Sequence, residues 1–151
     1  MAYKTSLNSG IGLQGFLAAQ VDTVQRVALG TTIKGFDDVL GEGEFIYLPG
    51  AANVVAGDAV VYDLAPGAVA VTRMVNNAFN NSGRPVAIAV AAVPAGSFGW
   101  YQIGGCAIAN TIGGTVAGVA MANATTGQLS NTADAGDQII GARISTAVGT
   151  P

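Results

Sequence analysis

From residue 85 to residue 133 the sequence carries no charged side chain, a stretch close to a third of the chain and bounded by Arg84 and Asp134. This stretch decides most about the possible folds. A membrane-spanning helix needs ~20 consecutive, predominantly apolar residues, whereas Pro94, Gly96, Gly99, Gln102, Gly104, Gly105, Asn110, Gly113 and Gly114 interrupt the run repeatedly. The expectation is therefore no membrane span. A charge-free stretch of this kind suits a folded interior or a surface that another protein covers, because unpaired charge is costly in both.

Composition narrows the classes further. The 151 residues include 22 glycines and only 10% charged side chains, against about 7% glycine and about 25% charge in an ordinary domain. A mean hydropathy of +0.47 with a net charge of −3 argues against disorder. The basic residues Lys4, Arg26, Lys34, Arg73, Arg84 and Arg143 are scattered singly, so no stripe tracks a phosphate backbone and no nucleic-acid partner is expected. Without histidine there is no imidazole base, ligand or pH switch. The single cysteine, Cys106, lies among Gly104, Gly105, Ala107 and Ile108 and reads as a small buried hydrophobe. The N-terminal residues lack the continuous apolar run of a signal peptide.

The apolar residues are mainly Val, Ile and Ala in period-2 runs separated by Gly, Pro, Asn and Asp, the pattern of short strands and turns. Strands are predicted over residues 44–48, 58–63, 68–74, 84–93, 97–103, 105–109, 116–122 and 138–144. A hairpin over 58–74 turns at Pro66-Gly67. In the 84–93 segment Val86, Ile88, Val90 and Ala92 share one face and the alanines 87, 89 and 91 the other, where close packing is expected. Residues 16–29 fit a helical stripe and a strand equally. The fold class is all-β, a compact β-barrel or β-sandwich of short antiparallel strands with an extended N-terminal arm: residues 1–20 form the arm and 21–151 one β-rich domain.

Several motifs invite a chemical reading and fail on context. Gly10-Ile11-Gly12-Leu13-Gln14-Gly15 has the dinucleotide-binding spacing, but no buried strand precedes it. The acids Asp37-Asp38 and Glu42-x-Glu44 flank glycines in a solvated turn; their oxygens would suit calcium better than acid–base catalysis. The triplets Asn80-Asn81-Ser82 and Asn123-Ala124-Thr125 need a secretory route to matter. No serine has a base, and no catalytic residue, cofactor or metal is assigned. Strand alternation places Phe98 and Trp100 on one face and Tyr101 on the other, leaving one set for the core and one for a neighbour. The candidate interface residues are Tyr3, Leu7, Ile11, Leu13 and Phe16 on the arm, with Tyr47, Trp100 and Tyr101 on the domain.

Leu29-Gly30-Thr31, Gly41-Glu42-Gly43-Glu44-Phe45-Ile46-Tyr47-Leu48, Gly57 before Val60-Val61-Tyr62, Arg84-Pro85-Val86-Ala87-Ile88-Ala89 and Phe98-Gly99-Trp100-Tyr101-Gln102-Ile103-x-Gly105 follow one another along the chain. In that order they resemble the capsid cement, or head decoration, proteins of tailed bacteriophages, over about residues 29–109. The resemblance implies a non-enzymatic virion protein on the outer capsid surface. It implies a homo-oligomer such as a trimer that binds the major capsid protein, with the arm reaching across the lattice. Other virion or surface modules, such as a head-fibre base or an adhesin-like unit, share the composition, as does a small-ligand-binding β-barrel.

Overall fold

The computed structural model describes residues 4–5, 18–75, 83–123, 126–131 and 137–145. Among them every regular element is a strand: β1 Lys4–Thr5, β2 Val21–Asp22, β3 Thr32–Asp37, β4 Gly41–Pro49, β5 Ala59–Ala65, β6 Ala68–Arg73, β7 Val86–Ala89, β8 Phe98–Gly105, β9 Gly118–Ala122, β10 Leu129–Ser130 and β11 Gln138–Ile144. The protein is all-β, built of antiparallel sheets of short strands. The larger sheet runs β1-β3-β4-β8-β7-β5-β6, with β2 also paired to β8; the smaller runs β10-β9-β11. No helix among the described residues is long and apolar enough to cross a membrane.

Alternation along the central strands builds three layers of packing. Ile46 and Leu48 of β4, Val60 and Tyr62 of β5, Ala87 and Ala89 of β7 and Tyr101 of β8 share one cluster. The large sheet curls around it, so that β6, at the end of the strand order, approaches β4. The alternate residues Phe45 and Tyr47 of β4 and Trp100 of β8 face the other way and form a second cluster with Ile33 and Ala18. Packing therefore begins by Ala18, inside the stretch read as an arm. A third cluster, Ala59, Val61, Met74 and Leu129, joins the two sheets.

The expected hairpin forms in register, Val60 opposite Arg73 through Ala65 opposite Ala68. The small face of β7 is also as expected: Ala87 and Ala89 are buried beside the ring of Tyr101. Other expectations need correction. The strand foreseen over 84–93 is only Val86–Ala89, because beyond it the chain turns and the Val93 carbonyl accepts from Ala51 N–H. No strand forms over 105–109. β8 continues to Gly105, where a φ of +85° and the Gln102 amide, which donates to the carbonyls of Gly104 and Cys106, turn the chain away. That turn places Cys106 on the surface, not in the core. Residues 20–29 take neither a helical nor a strand form beyond the two residues of β2. Strand β3 has no counterpart in the sequence pattern, since Gly35 leaves it only one large buried side chain, Ile33.

Candidate interaction surface

The charged side chains nearest the core are consumed by the fold. Asp22 of β2 accepts hydrogen bonds from the Tyr47 hydroxyl at 2.8 Å and from Gln20 Nε2 at 2.8 Å, and meets Arg26 Nε at 2.9 Å. The Tyr47 ring lies tilted against Trp100, with centroids 5.1 Å apart, and stacks on Phe98 at 6.3 Å. This knot ties residues 18–29 over the outer face of β4 and β8. Burial raises the Tyr47 phenol pKa, and its bond to Asp22 adds to the rise.

A second knot ties the two sheets. Asp58 is 1% exposed, and its Oδ2 accepts from Arg73 Nε at 2.7 Å and from Val55 N–H at 3.0 Å, while Oδ1 accepts from Asn110 Nδ2 at 3.2 Å. Arg73 also donates to the Thr126 carbonyl. Around it, Ala59 N–H donates to the Gly127 carbonyl and Gly127 N–H to that of Met74, so the turn before β10 is fastened to β5 and to the end of β6. A buried acid bound to a cation and an amide has its lone pairs occupied. Neither knot offers an open position for chemistry.

The acidic turn is likewise self-contained on one side. Asp37 Oδ1 accepts from the N–H groups of Leu40 and Val39, each at 2.9 Å, and these bonds hold its carboxyl below the usual carboxylate range. Glu42 and Glu44 lie on β4 and not in the turn. Among the described residues no three His, Cys, Asp or Glu side chains gather where a metal would sit.

The structure divides the candidate interface residues. Tyr3, Leu7, Ile11, Leu13 and Phe16 lie outside the described residues, as do the 10–15 glycine motif and the triplet at 80–82. Tyr47, Trp100 and Tyr101 are buried within one chain, so their reading as contacts for a neighbour is corrected: both faces of β8 are covered, one by residues 18–29 and the other by the curled sheet. The alternation of these rings was legible, but the layer over the second face was not.

What is open lies elsewhere. Between β7 and the 103–109 segment on one side and β9 and β11 on the other runs a groove of about 1130 Å³. Val86, Ile88, Ile103, Ala122 and Ile139 line it, and it reaches Leu40 on the acidic turn. The small sheet is fastened at β10 by the Asp58 knot and stands off along β11, which opens the groove. Ile108 and Ile140 of its lining are exposed apolar side chains, and Val116 and Val119 are exposed as well. The 138–144 segment was foreseen as a strand, yet its side chains were not marked as surface. The adjacent isoleucines 139 and 140 were the available signal, since alternation sends one of such a pair outward.

No protein-family model matches the chain, and no curated protein and no solved structure does either.

Proposed function

We propose that this protein is a non-enzymatic cement protein that binds the outer surface of a phage head as a homo-oligomer, such as a trimer, and ties neighbouring major capsid subunits together. The supporting observation is the placement of the two segments that most resemble that family. They are β4 and β8, which pair along their length with Tyr47 opposite Trp100 and Ile46 opposite Tyr101. Segments with that role specify a scaffold and leave function to the exposed surface. The charged knots are internal, and the exposed apolar positions Ile108, Val116 and Val119 fall inside the charge-free run. Such a surface docks with little loss of side-chain entropy and gains strength by repetition over a lattice.

Incubation with empty phage heads tests the reading. Saturable binding is expected, with new density at lattice symmetry axes by electron microscopy, and deletion of residues 1–20 is expected to weaken it. Failure of the intact chain to bind heads overturns the proposal. The groove favours a second reading, a small-ligand-binding β module. A saturable rise in melting temperature with a metabolite, in the absence of heads, would establish that alternative.

A further inference from the structure

The last strand of a sheet presents a row of backbone N–H and C=O groups with no strand beside it, and folds guard such rows against other chains. Most edges of this fold are guarded. The β3 edge carries β1 opposite Gly35 and Phe36, β10 has only two residues, and β11 is interrupted by a bulge between Gln138 and Arg143. Strand β6 has no such device. Ala68–Arg73 runs in unbroken register with β5, without proline and without charge before Arg73. The curl of the sheet does not close this edge either. β6 approaches β4, but β4 is already paired on both sides, with β3 and β8, so the two meet face to face, with Val69 and Val71 packed on the core.

Two hydrogen bonds fix which backbone groups of β6 point outward. Met74 N–H donates to the Ala59 carbonyl, so the pairs in step with it, Val61 with Thr72, Asp63 with Ala70 and Ala65 with Ala68, are those bonded within the hairpin. Tyr62, in the alternate set opposite Val71, sends its N–H the other way, to the Pro85 carbonyl. The N–H and C=O groups of Val69 and Val71 therefore face the open edge, and among the described residues no strand pairs with them there. Beyond them the turn at Thr126 and Gly127, bonded to the Arg73 side chain and the Met74 carbonyl, closes the far end.

We propose that the strand completing this edge is β6 of a second copy, running antiparallel. A foreign strand would be selected by pockets for its alternate side chains, and the exposed Ala68, Ala70 and Thr72 offer none. Self-pairing needs only the backbone row. With Val69 opposite Val71 of the second copy, and Val71 opposite its Val69, the open groups of both copies are all used. Ala70 then meets Ala70 on the two-fold axis and Ala68 meets Thr72, so the copies approach without bulk and without like charges. The inference rests on reading the chain as a homo-oligomer, and it names a surface through which copies meet.

Sedimentation velocity of the full chain over a range of concentrations tests it. The wild type is expected to associate. A70K and A70E are each expected to associate at least about tenfold more weakly, because like charges then face each other across the axis, and an equimolar mixture of the two is expected to regain association. Circular dichroism of both variants is expected to match the wild type, because residue 70 is exposed in the single chain. A wild type that stays monomeric to high micromolar concentration overturns the inference, as do variants that associate unchanged or a mixture that regains nothing. Head binding separates this from the cement reading. If A70K self-associates like the wild type and both bind heads, this edge is wrong and the cement reading stands.

Discussion

Asp58 shows how one residue can fasten distant parts of a chain. It is the acid nearest to an active-site appearance, buried and beside a cation, and yet Arg73, Asn110 and the Val55 amide use its oxygens. Removing it strands a partly buried guanidinium. Asp58→Ala is therefore expected to cost about 3 kcal/mol, whereas the double replacement Asp58→Leu with Arg73→Met costs less, because no charge is left unpaired. Denaturant unfolding of both variants checks the ordering. Gly127 is the matching backbone constraint: its φ is +82°, and a Cβ there would come within 2.7 Å of the Asp58 carboxyl. Gly127→Ala is expected to lower stability by about 2 kcal/mol, through left-handed strain and displacement of the ion pair together.

Among the elements, the pair of β4 and β8 holds the molecule, since each contributes side chains to both large clusters. Trp100→Ala removes the ring that packs on Tyr47 and is expected to cost about 3–5 kcal/mol, read as a fall in melting temperature. The small sheet is a different case. It is joined to the large sheet by the Asp58 knot and the cluster around Leu129, and it is open along β11. Hydrogen exchange in the Asp58→Ala variant is expected to speed up first in β9 to β11 while β4 and β8 stay protected, because local opening follows the weaker junction. Uniform acceleration across both sheets would show that the junction is not a separate unit.

At the scale of the whole molecule, the absence of histidine leaves the protein without an imidazole switch near neutrality. The response to pH lies on the alkaline side. Burial pushes the phenols of Tyr47, Tyr62 and Tyr101 up, Tyr101 most strongly, with the acids Asp22 and Glu44 adding at the first two. A raised pKa means that the neutral phenol is favoured by the folded state. That stabilisation is complete below about pH 10, where unfolded tyrosines are also neutral, and is lost as pH rises through the folded values. Tyrosinate absorbance is expected to lag behind that of free tyrosine and to rise together with unfolding.

The sequence alone determined the strand class, the hairpin through Pro66-Gly67 and the opposite facing of Trp100 and Tyr101, because side-chain alternation and turn chemistry act over a few residues. It also marked the long charge-free run, half of whose meaning was the core. Tertiary structure decided which faces were covered. Tyr47, Trp100 and Tyr101 were read as partly available to a neighbour, and became interior because residues 18–29 and the curl of the sheet, both distant along the chain, close over them. Cys106 went the other way, carried outward by the turn at Gly105. Ile140 stands in water on a bulge, because β11 has more residues than its partner strand between paired positions, and which residues two strands set opposite each other was decided only when distant segments paired.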